Sequence, residues 1–289
     1  MSPLRSNQII LKDGRRLGYG EIGDPGGSPV FYFHGFPGSR LEIELVSHYL
    51  EETKMRIIAP ERPGFGLSDF KKGRTIGEWP DDLLQLAEDL GLDQFAVLGL
   101  SGGGPYALAC AWKIPARLTS VVIVCGLGPV DDAEMLRQIL WLNRFGLSVA
   151  RKSVILSDRL VSLAAIFIRH FPEKIIEHLL KRMPSPDQEV LNPPGVREIL
   201  SQSFREAVRF GYRGPAREVI LYSRPWDFRV EDIRMAVDLF YGEEDTIVPS
   251  IFGKRLEKMI PRCQASFFPH EGHFSLILNQ WQAIIEKLI

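Results

Sequence analysis

Gly99-Leu100-Ser101-Gly102-Gly103 decides the reading of this chain. The pentapeptide follows an apolar run, residues 95–98, and opens a helical pattern over residues 105–112. A serine on such a strand-to-helix turn is pushed out beyond the sheet edge, in backbone geometry tight enough that small residues must flank it. Gly99 and Gly103 meet that requirement. The helix that follows brings its positive N-terminal end beneath any negative charge developing near the serine. A plain glycine-rich connection would also account for the five residues, but the strand–turn–helix context favours a nucleophile at Ser101.

Working outward, residues 8–11 and 17–22 flank Asp13-Gly14, a hairpin signal. Residues 30–33, 55–59, 95–98 and 120–125 are apolar runs of the kind that form strands, the last two suited to burial on both faces. Residues 236–241 and 265–268 complete the strands, and 274–289 reads as one final amphipathic helix. Helical patterns lie between strands, at 40–52 and 80–90, the second with Asp81 and Asp82 in its favourable first turn. Strands alternating with helices give an α/β fold with a mostly parallel central sheet flanked by helices. Residues 129–226 break that rhythm. Only helical patterns occur there, at 131–145, 157–170, 173–182 and 196–210, separated by Met183-Pro184-Ser185-Pro186 and Asn192-Pro193-Pro194-Gly195. The domain reading is a core of 1–128 and 227–289 with an inserted all-helical cap, 129–226.

Three further segments carry chemistry. His34-Gly35-Phe36-Pro37-Gly38-Ser39 follows the strand 30–33, where its loop faces the nucleophile from a neighbouring strand end. The backbone N–H of Phe36 there can pair with that of Gly102 to hold an oxyanion. Asp245 follows the strand 236–241, and His273 follows the last strand. A serine hydroxyl is a poor nucleophile until an imidazole removes its proton, and the imidazole needs a carboxylate to fix its tautomer. Ser101, Asp245 and His273 supply that set.

The motifs resemble the α/β-hydrolase superfamily. His34-Gly-Phe-Pro-Gly38, Glu61-Arg-Pro-Gly-Phe-Gly-Leu-Ser68, Gly99-Leu-Ser-Gly-Gly103, Gly242-Glu-Glu-Asp-Thr-Ile-Val-Pro249 and Glu271-Gly-His273 stand in the family order and span almost the whole chain. The resemblance implies a catalytic triad of Ser101, Asp245 and His273, an oxyanion hole from Phe36 and Gly102, and a helical cap after the strand ending near Cys125. Serine at the nucleophile position argues against relatives such as epoxide hydrolases and haloalkane dehalogenases, which carry aspartate there.

Composition bounds the function. The chain has 289 residues, 45% hydrophobic and 25% charged, ordinary values for a globular protein. Thirty-five basic residues against 36 acidic ones give no electrostatic reason to expect nucleic acid. Cys110, Cys125 and Cys263 are too few and too scattered for a disulfide framework or a zinc ribbon, and Cys110 and Cys125 read as inert core thiols. The uncharged stretch 94–112 is as long as a membrane span but has four glycines and a proline in its middle. The first residues lack the apolar core of a secretion signal, so the expected location is cytoplasmic.

Weaker signals fall to simpler explanations. Gly18-Tyr-Gly-Glu-Ile-Gly23 has dinucleotide-loop spacing, but Asp24-Pro-Gly-Gly-Ser-Pro29 after it cannot open a helix. His270-Glu-Gly-His273 has no second ligand cluster to complete a metal site, and His270 reads as a surface residue. His34, Arg40, Arg62 and Arg224 read as structural. Among the cap residues, Ile139, Leu140, Leu142, Phe145, Leu163, Ile166 and Phe167, with Trp141 and Trp226, are candidates to pack the cap or line the pocket. The expectation is a serine hydrolase of small apolar carboxylic esters with a small-molecule substrate as partner, no metal or organic cofactor, and no nucleic-acid or membrane partner. A proline-iminopeptidase-like aminopeptidase would need a cap acid for the substrate amine, with Glu134, Glu173, Glu177, Glu198 and Glu206 available. A C–C bond hydrolase and a non-catalytic small-molecule receptor on the same fold are the other readings.

Overall fold

The computed structural model describes residues 3–50, 53–130, 133–139 and 141–289. Eight strands form one sheet: β1 (Arg5–Ile10), β2 (Arg16–Gly23), β3 (Ser28–Phe33), β4 (Met55–Pro60), β5 (Phe95–Leu100), β6 (Leu118–Val124), β7 (Val237–Gly242) and β8 (Cys263–Phe268). Their spatial order is β1-β2-β4-β3-β5-β6-β7-β8, and β2 alone runs against the rest. β5 is buried along its whole length, as its uninterrupted apolar sequence requires. β1, at the sheet edge, is exposed and carries Arg5, Ser6, Asn7 and Gln8, a polar edge that resists further strand pairing.

The topology places the site. From β3 the chain crosses to β4 on one side, whereas from β5 it crosses to β6 on the other. The connections leaving β3 and β5 therefore diverge, and a crevice opens at their carboxyl ends, where open parallel sheets bind ligands. The His34–Gly38 loop and Ser101 both lie there.

Helices cover both faces. A 3-10 helix, Arg40–Leu50, follows β3, and α1 (Trp79–Asp89) and α2 (Gly104–Lys113) flank β5. α1 opens with Pro80 and the acidic pair Asp81 and Asp82 in its first turn and buries Leu83, Leu86 and Ala87. Apolar side chains fill both sides of the sheet, with Phe31, Phe33, Val97 and Ile123 on one face and Val30, Tyr32, Leu98 and Val122 on the other.

Between β6 and β7 every described element but one short 3-10 turn is an α-helix: α3 (Ala133–Gln138), α4 (Trp141–Lys152), α5 (Val154–His170), α6 (Pro172–Leu180), α7 (Ser185–Leu191), α8 (Pro194–Ala207) and α9 (Arg213–Tyr222). The structure corrects several expected bounds. The single helix expected over 131–145 is divided at Ile139, whose buried side chain lines a cavity. Asp131, Asp132 and Leu140 lie outside the described residues. α5 begins at Val154 rather than 157 because Ser153, extended at φ −152°, caps it by accepting a hydrogen bond from Leu156 N at 3.2 Å. α7 and α9 were not expected. The prolines at the start of α7 read as a break, yet proline is well placed in a first helical turn.

After β7 come α10 (Ile251–Met259), β8, α11 (His273–Asn279) and α12 (Trp281–Leu288). The expected final helix is thus two. At the break, Asn279 and Gln280 turn their side-chain amides onto the buried Glu271 carboxylate, at 3.1 and 2.8 Å. Among the described residues, no helix is long and apolar enough to cross a membrane.

Candidate active site

Ser101 stands at the junction of β5 and α2 with φ +53°, a left-handed conformation that a non-glycine residue adopts only when its surroundings enforce it. The enforcement is close packing. A Cβ at position 103 would lie 2.1 Å from Phe33 O, and one at position 99 would lie 2.8 Å from Gly103 O, so the turn admits only glycine at both. The Ser101 carbonyl accepts from Leu127 N at 3.0 Å, which ties the turn to the segment after β6.

Asp245 and His273 are brought together directly. His273 Nδ1 donates to Asp245 Oδ2 at 2.7 Å, and both side chains are buried. The other carboxylate oxygen, Oδ1, accepts from Ile247 N and Val248 N, each at 2.8 Å. Both oxygens are therefore committed, and the carboxylate cannot rotate away from the imidazole. Glu243 and Glu244 beside it are exposed. Burial works against a charge on His273, but Asp245, Asp187 and Glu42 together hold its pKa above the ordinary 6.5. Among the described residues, no hydrogen bond joins Ser101 Oγ to the imidazole. In unliganded sites such bonds are often long and tighten when substrate binds. His270 is almost fully exposed, 3.8 Å from Glu244.

Gly102 and Phe36 face each other. A Cβ on Gly102 would come within 2.9 Å of Phe36 Cβ. Neither backbone N–H has an acceptor among the described residues, so both are free to bind an oxyanion. The loop carrying Phe36 is fastened from two sides. Glu42 Oε1, buried, accepts from Gly35 N at 3.0 Å and from Tyr32 OH at 2.7 Å. Arg62 donates to the carbonyls of His34 and Gly35 at 2.6 and 2.9 Å. His34 donates from Nδ1 to Gly35 O at 2.9 Å, and burial, helped by Arg62, pushes its pKa well down, so it stays neutral.

Behind this loop sits a cluster that sequence reasoning missed. Glu218 of α9 is fully buried and pairs with Arg62 at 2.5 Å and Arg74 at 2.6 Å. Tyr106 donates to it at 2.6 Å, and Tyr222, 3.0 Å from it, donates to Gly102 O at 2.7 Å. Burial opposes the Glu218 charge, but Arg74 and Arg62 outweigh it and hold the carboxyl below its ordinary range. Only the helical spacing of Glu218 and Tyr222, four apart, hinted at a shared face. Removing one partner strands two buried guanidiniums, so Glu218→Ala is expected to lower unfolding stability by about 3–5 kcal/mol, measured by urea denaturation.

A cavity of about 220 Å³ opens at Ser101, lined by side chains that include Phe36, Leu127, Ile139, Leu147, Val219 and Tyr222. Among the described residues, no charged residue lines it. Ile139 is there as expected, but Phe145, Leu163, Ile166 and Phe167 are exposed, because the outer faces of α4 and α5 point to solvent. Trp226 is elsewhere too, stacked on Phe228 with ring centroids 5.5 Å apart. The side chains of Glu134, Trp141 and Leu142 lie outside the described residues. Glu173 pairs with Arg205 at 2.9 Å and Glu206 with Arg40 at 2.6 Å, so neither offers a free carboxylate to the cavity, and Glu177 and Glu198 line a separate surface groove. Arg40 also pairs with Glu61 at 2.9 Å, as a structural residue does, and Arg224 is exposed.

The donor atoms of Cys125, Asp245 and His273 lie within 4.8 Å of one another, the one cluster among the described residues with metal-ligand chemistry. Burial, and then the Asp245 charge, push the Cys125 thiol well up, so it stays protonated. Cys110 is likewise buried and its thiol pushed up.

Comparison with known proteins agrees with the fold. Residues 28–280 match the family model described as the alpha/beta hydrolase fold. An uncharacterised hydrolase of Bacillus subtilis, YugF, is 26% identical over 283 residues, 94% of this chain and 92% of that protein. The 2-hydroxy-6-oxo-2,4-heptadienoate hydrolase of Pseudomonas putida is 24% identical over 92% of this chain and 89% of that one. Among solved structures, a thermophilic esterase from Thermogutta terrifontis superposes with a TM-score of 0.69 over 98% of this chain and 96% of its own, at 24% identity.

Proposed function

The chain belongs to the α/β-hydrolase fold family, and from that premise we propose that it is a serine hydrolase of small apolar carboxylic esters. Residues 129–226 form its cap, over a core of 1–128 and 227–289. Ser101 Oγ attacks the ester carbonyl carbon while its proton passes to His273 Nε2. The carbonyl oxygen becomes an oxyanion held by the N–H groups of Phe36 and Gly102. Collapse of the tetrahedral intermediate breaks the bond to the alkoxy oxygen, which leaves with the proton from Nε2. Water then attacks the acyl-enzyme by the same path and releases the acid. Asp245 keeps the Nδ1 proton in place and stabilises the imidazolium at each stage.

The observation that carries the substrate class is the apolar lining at Ser101, uncharged among the described residues. An aminopeptidase would need a free carboxylate to hold an amine. The buried acid behind the wall, Glu218, is already neutralised by two arginines. The test is a panel of esters, amides and diketones, each run beside Ser101→Ala. Apolar esters are expected to turn over fastest, and charged esters of equal size more slowly. Equal turnover of charged and apolar esters, or faster turnover of amides or diketones, refutes the assignment.

The base is tested by pH. His273 acts only when neutral, so kcat/KM is expected to fall on acidification with a limb above the ordinary imidazole pKa, the direction set by Asp245, Asp187 and Glu42. His270→Ala is expected to retain most activity and His273→Ala to lose it. The reverse pattern assigns the base to His270.

A further inference from the structure

We propose that Asp187, a residue of the inserted helices, is a positioning residue for the catalytic base, tying the cap to the backbone that presents His273. This rests on the reading of His273 as the base. Asp187 is fully buried on α7, and its carboxylate accepts three backbone hydrogen bonds from the first turn of α11. Oδ2 takes His273 N at 2.9 Å, and Oδ1 takes Phe274 N at 2.8 Å and Ser275 N at 2.9 Å. These are N–H groups that the start of a helix leaves without partners.

An N-cap residue ordinarily supplies such an acceptor from its own side chain. The N-cap of α11 is Gly272, which has none. The glycine is there to let the substitute in, since a Cβ at 272 would lie 2.5 Å from the Asp187 carboxylate. Ser275 Oγ completes the arrangement by accepting from Gly272 N at 2.7 Å. An element 86 residues away in sequence therefore fixes the φ and ψ that aim the imidazole. A charged acceptor at a helix N-terminus is also the stronger kind of hydrogen-bond partner.

Asp187 acts on the imidazole by charge as well as by geometry. The groups facing His273 are Asp245 after β7, Asp187 on α7, Glu42 on the 3-10 helix after β3, and the neutral thiol of Cys125 after β6. Removing the Asp187 charge leaves burial less opposed and lowers the pKa of His273.

Asp187→Asn separates these effects from simple packing. The amide keeps an oxygen for Phe274 N and Ser275 N but turns an NH2 towards His273 N. With folding verified by circular dichroism, kcat/KM on an activated ester is expected to fall by about tenfold or more, chiefly in kcat, with the acid limb displaced to lower pH. Nitrogen-15 NMR titration of the His273 ring, run in a Ser101→Ala background, is expected to show the same downward displacement without any turnover. That readout does not depend on the ester reading, so failure of the two is distinguishable. If Asp187→Asn does not fold, Asp187→Ser, which keeps a short acceptor without charge, carries the same measurements. An unchanged His273 titration and an unchanged acid limb in a folded variant overturn the proposal and leave Asp187 a fastening for the cap alone.

Discussion

Ser101→Ala is expected to lower turnover of an activated ester by on the order of 10^4-fold or more, with the fold retained. Alanine can take the φ of +53° at a similar cost to serine, and among the described residues the Ser101 side chain makes no hydrogen bond whose loss would destabilise the turn. The loss therefore falls on chemistry. What remains is the contribution of the free N–H groups of Phe36 and Gly102 and of the cavity, which hold the substrate but supply no nucleophile. Steady-state kinetics beside the wild type measures it, and a loss under about tenfold contradicts the role given to Ser101.

Asp245→Asn is expected to cost a comparable factor, on the order of 10^4-fold, and the structure gives the reason. Oδ1 of Asp245 holds the turn through Ile247 N and Val248 N, so the asparagine oxygen keeps that place. The amide nitrogen then occupies the Oδ2 position, 2.7 Å from His273 Nδ1. Two donors cannot face each other there. The imidazole turns to the tautomer protonated at Nε2 and has no lone pair for the serine proton. Glu243→Gln and Glu244→Gln, both at exposed positions, are expected to change turnover little. An Asp245→Asn variant near wild-type activity, with one of Glu243, Glu244, Asp131 or Asp132 essential, reassigns the acid.

What was legible in the sequence was whatever rests on local chemistry. The elbow at Ser101, the acid after β7 and the histidine after β8 each announce themselves through a strand end and a turn, and the alternation of strands and helices gives the sheet. Asp187 was not legible because its role is made by tertiary contact. Its stretch, Pro184-Ser185-Pro186-Asp187, reads as a break between helices, and nothing local says that its carboxylate caps a helix near the other end of the chain. Glu218 was hidden for the same reason, since Arg62, Arg74 and Tyr106 reach it from separate segments. Which apolar residues of the inserted helices line the cavity also escaped. Ile139 and Phe145 are equally apolar in sequence, and only the packing of α4 and α5 turns one inward and leaves the other in solvent.

Labelling with an organophosphonate followed by peptide mass spectrometry tests whether Ser101 is the activated nucleophile. Such a reagent reacts with a serine whose proton a neighbouring base removes. Ser39 and Ser68 are buried and hydrogen-bonded, Ser39 to Ser203 and Ser68 to the backbone of Glu61 and Gly18, so neither is poised to react. One adduct per chain is expected, on Ser101, abolished by Ser101→Ala and by His273→Ala. An adduct on Ser39 or Ser68 with Ser101 unmodified, or no adduct on the folded protein, would contradict it.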